Sequence, residues 1–150
     1  MKKKLTIVDL IIIAAIVIVG IIGFSMLSKG TTSTTKTLSF KVLVTDQLPE
    51  VANAIVVSDN VLLDASSNKY GKVTGVEVKP CEETYFDLKN EKFVKRTINN
   101  RNDIYITAEA EVVEHDFGYE LGDHKIRIGE KQIVSAPAYG VEGYVVEIFD

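Results

Sequence analysis

The longest hydrophobic segment of the chain lies near its N-terminus. Residues 10–27 carry no charge, and their only hydroxyl is at Ser25. A helix of these 18 residues is about 27 Å long, close to the hydrocarbon thickness of a bilayer. The segment therefore predicts a single transmembrane helix. Its large apolar side chains belong to Leu10, Ile11, Ile12, Ile13, Ile16, Val17, Ile18, Val19, Ile21, Ile22, Phe24 and Leu27.

The lysines around this helix predict its orientation. Lys2, Lys3 and Lys4 precede it, whereas the other flank has only Lys29 and, further on, Lys36. Because positively charged flanks stay in the cytoplasm, we expect residues 1–9 to be cytoplasmic. The C-terminal part is then extracytoplasmic in a single-pass protein of the cell membrane.

Two alternatives to a permanent anchor start from the same residues. A cleaved signal peptide would release a secreted ligand-binding or metal-binding domain, but its apolar region is normally shorter and ends at a small-residue site that is missing here. Asp9 resembles the acidic residue near the mature start of type IV pilins and pseudopilins. That alignment makes Leu5 the first mature residue, yet Lys4 stands where such leaders end in Gly or Ala.

Beyond the helix, the polarity pattern changes from continuous to alternating. Residues 28–37 are rich in Ser and Thr, which predicts a flexible tether. Apolar residues then alternate with polar ones in short segments, as in half-buried strands. A helical turn is expected at 48–55. The prediction is a mainly β domain at 38–150, arranged as a small barrel, with strands at 38–45, 61–63, 73–78, 104–110, 126–128, 132–134 and 144–148. Gly75 is expected at a bulge.

Two segments of this domain are candidate contact surfaces. Residues 82–103 are polar with scattered aromatics, and predict a long hairpin that projects from the core with its tip near Lys89 and Asn90. Pro137 to Gly143 predicts a second exposed loop. The candidate partner surface consists of Tyr85, Phe86, Phe93 and Tyr139.

The domain contains an internal echo. Residues 57–63 followed by 71–76 resemble residues 128–134 followed by 143–148, each with a tight acidic turn, a short strand and a Gly before the next strand. The offset is 71 residues at the turn and 72 at the Gly. Two similar units would pair into a small closed barrel, although chance similarity between hairpins is the alternative.

Composition and motifs exclude several classes of function. The net charge is −4, and the part beyond the helix is more acidic still, which argues against nucleic-acid binding. No nucleophile, base and orienting group occur together, and no phosphate loop is present, so we expect no enzyme and no cofactor. His115 and His124 with nearby carboxylates are a weak zinc pattern, and a solvated loop is favoured. Cys81 is expected to be an unpaired thiol, with intermolecular pairing as the alternative.

Taken together, these features resemble an uncharacterised bacterial family, the domain of unknown function 4330. The resemblance covers most of the chain and rests on Ile7 to Leu10, the turn at Ser58-Asp59, Gly71 to Val78, Ile128 to Glu130 and Tyr139 to Ile148. Such families have Gly-Asp where this chain has Ser58-Asp59. The resemblance implies a bacterial envelope protein and supplies no activity or catalytic residue.

The leading hypothesis is a non-enzymatic, membrane-anchored domain that binds an envelope protein or a second copy of itself. Its contact with the lipid bilayer runs through residues 10–27. The alternatives are a pilin-like filament subunit and a secreted ligand-binding domain.

Overall fold

The computed structural model describes residues 34–149. The predicted membrane helix at 10–27, the basic segment 1–9 and the tether residues 28–33 lie outside the described residues. No helix within residues 34–149 is long and apolar enough to span a bilayer.

The described chain is mainly β, as predicted. Its helix, α1, is Pro49–Ala54, with Pro in the first turn where the missing N–H costs nothing. The strands are β1 Thr34–Gln47, β2 Asn60–Asp64, β3 Lys69–Asp87, β4 Lys92–His115, β5 Gly118–Leu121, β6 His124–Ile126, β7 Lys131–Ala136 and β8 Tyr139–Phe149.

All strand pairs are antiparallel, and they form one sheet of eight strands in the order β1-β8-β7-β2-β3-β4-β5-β6. In addition, β1 pairs with β4 along most of its length, from Thr34 opposite Glu114 to Gln47 opposite Asn102. The same strand therefore has β8 on one side and β4 on the other.

The core lies on the inward face of these strands and confirms the period-two prediction. Phe40 and Val42 of β1 are completely buried, as are Ile104 and Ile106 of β4. Successive side chains of a strand point to opposite faces, so the alternation seen in the sequence separates core from solvent. Burying such aliphatic and aromatic side chains stabilises the fold by about 1.5–3 kcal/mol each.

Several predicted boundaries were wrong. The strand expected at 126–128 ends at Ile126, because residues 127–130 form a turn in which Glu130 N donates to Arg127 O over 3.0 Å. Thr34 to Thr37 were assigned to the tether, but they belong to β1 and pair with Glu111 to Glu114 of β4. Backbone pairing with the longer strand β4 extends β1 toward the N-terminus, before Leu38, its first apolar residue. Residues 137–143 were expected to be a loop, but β8 already begins at Tyr139 and pairs there with Ala136. Only Pro137 and Ala138 remain as the turn.

The internal echo is confirmed at the level of hydrogen bonds. In the first turn, Ser58 N donates to Val73 O over 2.7 Å, and Val73 N donates to Asp59 O over 2.9 Å. In the second turn, Gly129 N donates to Val145 O over 2.7 Å, and Val145 N donates to Glu130 O over 2.9 Å. The positions differ by the same offsets of 71 and 72 residues that the sequence shows.

The strands after these turns carry the same irregularity. In β3 the register shifts between Val73 and Gly75, which confirms the predicted bulge at Gly75. The counterpart shift in β8 follows Val145. Val145 lies opposite Val42 of β1, but the next β1 partner, Lys41, lies opposite Glu147, so Val146 is the extra residue.

The partner strands β4 and β1 complete the relationship. Leu38 of β1 lies opposite Ala110 of β4, and Val44 of β1 lies opposite Ile104 of β4. Exchanging the two strands therefore exchanges these two pairs, so that Leu38 in β1 corresponds to Ile104 in β4. The same turn and the same register shift thus recur in two sets of three strands, and the two sets meet where β1 pairs with β4. We call β2, β3 and β4 the first half, and β7, β8 and β1 the second half.

A glycine occupies the same position in each half because the facing backbone is too close for a side chain. A Cβ at Gly71 would lie 2.7 Å from the carbonyl oxygen of Glu109 and would overlap Leu63. A Cβ at Gly143 would overlap the carbonyl group of Leu43, which is the counterpart of Glu109. These close approaches explain why the echo in the sequence includes a glycine.

Candidate interaction surface

The predicted hairpin projects from the sheet as expected. Residues 82–87 of β3 pair only with residues 92–97 of β4 within the described chain, from Glu82 opposite Thr97 to Asp87 opposite Lys92. The turn covers 88–91 and confirms the predicted tip. We call residues 82–97 the arm.

The base of the arm is irregular and attached to the end of β1. The register shifts between Pro80 and Glu82, so four residues of β4 lie opposite one residue of β3. From this bulge Arg101 Nη1 donates to Asp46 O over 3.0 Å. Asp46 N in turn donates to Asp103 Oδ1 over 3.0 Å. These contacts hold the base of the arm against the main sheet.

The ladder between β1 and β4 determines where the arm leaves the domain. Thr34, the first described residue, lies at one end of this ladder opposite Glu114, and Asn102 lies near the other end. The arm continues β4 beyond Asn102. It therefore projects from the end of the ladder opposite to Thr34.

Large apolar side chains are exposed along the arm. Phe93 is 74% exposed and Leu88 at the tip is 85% exposed. Phe86 packs edge-to-face on Phe93, with 5.2 Å between ring centroids. Tyr85, also exposed, lies on the opposite face of the ribbon. The structure thus places three of the four predicted surface residues on one element, where they contribute little to the core.

The charges of the arm are separated by strand. The β3 side carries Glu82, Glu83 and Asp87, whereas the β4 side carries Lys92, Lys95 and Arg96. Lys95 Nζ lies 3.4 Å from Glu82 Oε2 across the ribbon.

Asp87 closes the tip of the arm. Asn90 Nδ2 donates to its carboxylate over 2.7 Å, and Lys89 N donates over 2.9 Å. The Asn90 side chain and then the Lys89 backbone N–H lower the pKa of Asp87 below its ordinary value. The turn is therefore held by charge-assisted hydrogen bonds rather than by packing.

The fourth predicted surface residue, Tyr139, was wrongly placed. It is only 9% exposed, because it is the first residue of β8 and points into the core. Its hydroxyl donates to Asp59 Oδ2 over 3.1 Å. Burial, together with Asp59, raises the pKa of Tyr139 to about 12. Tyr139 therefore holds the first turn in place.

A second feature, which the sequence reading missed, is the buried carboxylate of Asp64. It accepts hydrogen bonds from Ser66 N at 2.9 Å, Ser66 Oγ at 2.6 Å, Asp123 N at 3.0 Å and the Ser67 hydroxyl. The serine hydroxyls are the main cause of a pKa of Asp64 far below its usual range. His124 Nε2 lies 3.4 Å from the same carboxylate. An Asp directly after a buried leucine and before two serines was the available signal.

Asp64 borders a cavity of about 650 Å³ between β2 and β7. These strands share a single ladder pair, Leu62 opposite Ser135. Buried Gln132 bridges the gap, donating to Leu63 O over 2.7 Å and to Ile133 O over 2.9 Å. Because the oxygens of Asp64 are already engaged by the loops, we interpret this network as a structural link between the loops after β2 and β5.

The remaining candidate side chains are separated. His115 pairs with Glu120 at 3.1 Å and lies at the opposite end of β5 from His124. Across residues 34–149, groups of three metal-binding side chains are absent. Cys81 makes no disulfide within the chain and is buried at the base of the arm. Burial, followed by the hydrogen bond with Asp103, raises the pKa of its thiol.

Comparisons with known proteins add a family but no activity. No curated protein and no solved structure matches the chain. The family described as a domain of unknown function, DUF4330, matches residues 1–149. This match covers nearly the whole sequence, including the segment before the β domain and both similar halves. The chain therefore belongs to the DUF4330 family.

Proposed function

We propose that residues 34–149 form a non-enzymatic binding domain of the bacterial cell envelope, anchored in the cytoplasmic membrane by a helix at 10–27. The domain lies on the extracytoplasmic side and contacts another envelope protein through the arm. The observation that carries this proposal is the exposure of Phe93 and Leu88 on an element that adds little to the core.

We further infer that six strands close into a small barrel. The pairings lead from β1 through β8, β7, β2, β3 and β4 and return to β1. A closed arrangement removes open strand edges, which otherwise invite association with other chains. The arm is an exception to this arrangement, because its two strands continue beyond the ladder with β1.

The direction of the arm supports a role in reaching a partner. The chain enters the domain at Thr34, and the arm projects from the other end of the β1–β4 ladder. The tip therefore extends away from the point that connects to the anchor. Exposed aromatic residues are enriched at the centres of protein interfaces, which favours a protein partner for this tip.

Site-specific photocrosslinking in intact cells tests this proposal. A photoreactive residue at position 93 is expected to capture a protein, while the same residue at Tyr144, which is about half exposed on β8, serves as the matched control. Fractionation of the same cells is expected to recover the chain with membranes. Equal or absent capture at both positions, or a mature chain found only in the soluble fraction, would contradict the proposal.

A further inference from the structure

The arm has two open edges whose charges are opposite. We propose that the arms of neighbouring copies pair side by side, with the β3 edge of one copy against the β4 edge of the next, as a continuous antiparallel sheet. This inference rests on the proposed role of the arm as a contact surface, and it identifies the partner as a second copy of the chain.

The outer edges of the arm are available for strand pairing. Residues 82–87 and 92–97 pair with each other, and the other described strands make no ladder with either outer edge. Each edge is six residues long and contains no proline, so its outward N–H and C=O groups have no covalent block to pairing. Such an edge is a template for another strand.

The charges decide which edges fit together. The β3 edge is acidic at Glu82, Glu83 and Asp87, and the β4 edge is basic. Contact between two β3 edges or two β4 edges would place like charges together, which is destabilising. Contact between a β3 edge and a β4 edge places opposite charges together instead.

The register inside the arm shows that this contact repeats an existing pattern. Within one arm, Glu83 lies opposite Arg96 and Asp87 lies opposite Lys92. A neighbouring copy at the same height presents its β3 edge to the β4 edge of the first copy, so the same charge pairs form between chains. The Phe86–Phe93 row also continues from one copy to the next.

The proposed geometry agrees with anchoring in one membrane. Copies related by translation keep their arms and their Thr34 ends in the same orientations, as the anchors require. A two-fold dimer with both arms pointing the same way would instead pair identical edges and oppose like charges. The side-by-side contact is heterologous and leaves one edge free at each end, so it extends into rows of copies.

Disulfide trapping with two differently tagged full-length chains, both carrying Cys81→Ala, distinguishes these arrangements. One chain carries Tyr85→Cys on β3, and the other carries Val94→Cys on β4, which is the residue opposite position 85 inside one arm. Co-expressed in cells, the mixed pair is expected to form a disulfide-linked dimer. Chains that both carry Tyr85→Cys, or both carry Val94→Cys, are expected to give little dimer.

Charge reversal then tests the cause of the pairing in the same trapping assay. E82K/E83K makes both edges basic, and K95E/R96E makes both edges acidic. When both cysteine-carrying chains have the same charge reversal, the disulfide-linked dimer is expected to disappear. When one chain has E82K/E83K and the other has K95E/R96E, the edges are again complementary and the dimer is expected to return. Lys125→Glu, on an exposed position of β6, is the matched control and should leave the dimer unchanged. Melting curves check that each variant is folded.

The outcomes separate this inference from the proposed function. No mixed disulfide, or equal yields from mixed and identical pairs, overturns the pairing of arms. If position 93 still captures a different protein in that case, the arm remains a contact surface and only its partner changes. Failure of both experiments removes both proposals.

Discussion

The two halves of the domain share a turn, a glycine and a bulge, but only the first half extends into an arm. The shared features all serve the same purpose, which is to bring β3 onto β4 and β8 onto β1 at close range. The arm serves no such purpose. The arm is formed by the part of β4 that precedes Asn102 and by its partner in β3. The residue of β1 that corresponds to Asn102 is Lys36, near the start of that strand. The comparison teaches that the features found in both halves maintain the fold, while the arm, which only the first half carries, is available for function.

Two buried positions between β2 and β7 also differ between the halves. Gln132 occupies the position equivalent to the fully buried Val61, and Asp64 occupies the position equivalent to Ser135. Gln132 Nε2 donates to Leu63 O beside the single β2–β7 ladder pair, whereas the Asp64 carboxylate accepts from Asp123 N of the loop after β5. Gln132 thus adds a hydrogen bond between β2 and β7, and Asp64 holds two loops together, so here asymmetry stabilises the structure rather than creating a surface.

The largest expected effect comes from the paired glycines. Gly71→Ala and Gly143→Ala are each expected to destabilise the domain by about 2–3 kcal/mol, because the new methyl group meets a backbone carbonyl that cannot move freely. Urea unfolding monitored by circular dichroism measures the change. Gly75→Ala is the control, since its Cβ would lie 3.4 Å from Thr107 Oγ1, an ordinary contact. Tolerance of only one substitution would show that the halves are not equivalent.

A smaller effect is expected from Asp64→Asn, which weakens the hydrogen bonds that the carboxylate accepts. We expect Tm to fall by roughly 5–10 °C at pH 7. The pKa of Asp64 is lower in the folded than in the unfolded state, so its contribution is complete above the unfolded pKa and declines as pH falls below about 4.

Melting curves between pH 7 and pH 2 check this prediction. The difference in Tm between the wild type and Asp64→Asn should narrow as the pH falls below about 4. Ser135→Ala, at the equivalent position of the second half, is the control and should change Tm little. A constant difference across the whole range would exclude a role for the Asp64 charge.

The smallest expected effect comes from exchanging the turn residues. Ser58 has φ +83° and Gly129, its counterpart, has φ +87°. Only glycine adopts this region without strain, so Ser58→Gly should stabilise the domain and Gly129→Ser should destabilise it, each by about 1 kcal/mol. Denaturant midpoints measure both changes. Effects of the same sign would contradict the equivalence of the turns.

Much of the fold was predictable from local pattern. Alternation identified the strand containing Phe40 and the one containing Ile106, since burial on one face follows from a period of two. Gly75 was correctly assigned to a bulge, and the tip of the arm to Lys89 and Asn90. The ends of β1 and β8 were missed, because partner strands rather than local apolar residues determine where those strands begin.

The candidate surface was predictable only in part. Tyr85, Phe86 and Phe93 lie in a segment too polar to form a core, and the structure shows them exposed. Tyr139 looks similar in the sequence, but β8 carries it into the core against Asp59. The two serines that follow Asp64 were a local signal of its partners, but Asp123 N lies 59 residues further along the chain and gave no such signal.

By itself, the sequence determined the mainly β class, the family, the inner faces of β1 and β4 and the echo between the halves. These depend on local polarity and on residues close in the chain. Only the tertiary structure decided that the halves meet through β1 and β4, that Tyr139 is buried and that the arm leaves the domain opposite Thr34. Strand pairing joins residues far apart in sequence, so register and direction follow from the whole set of ladders rather than from any one segment.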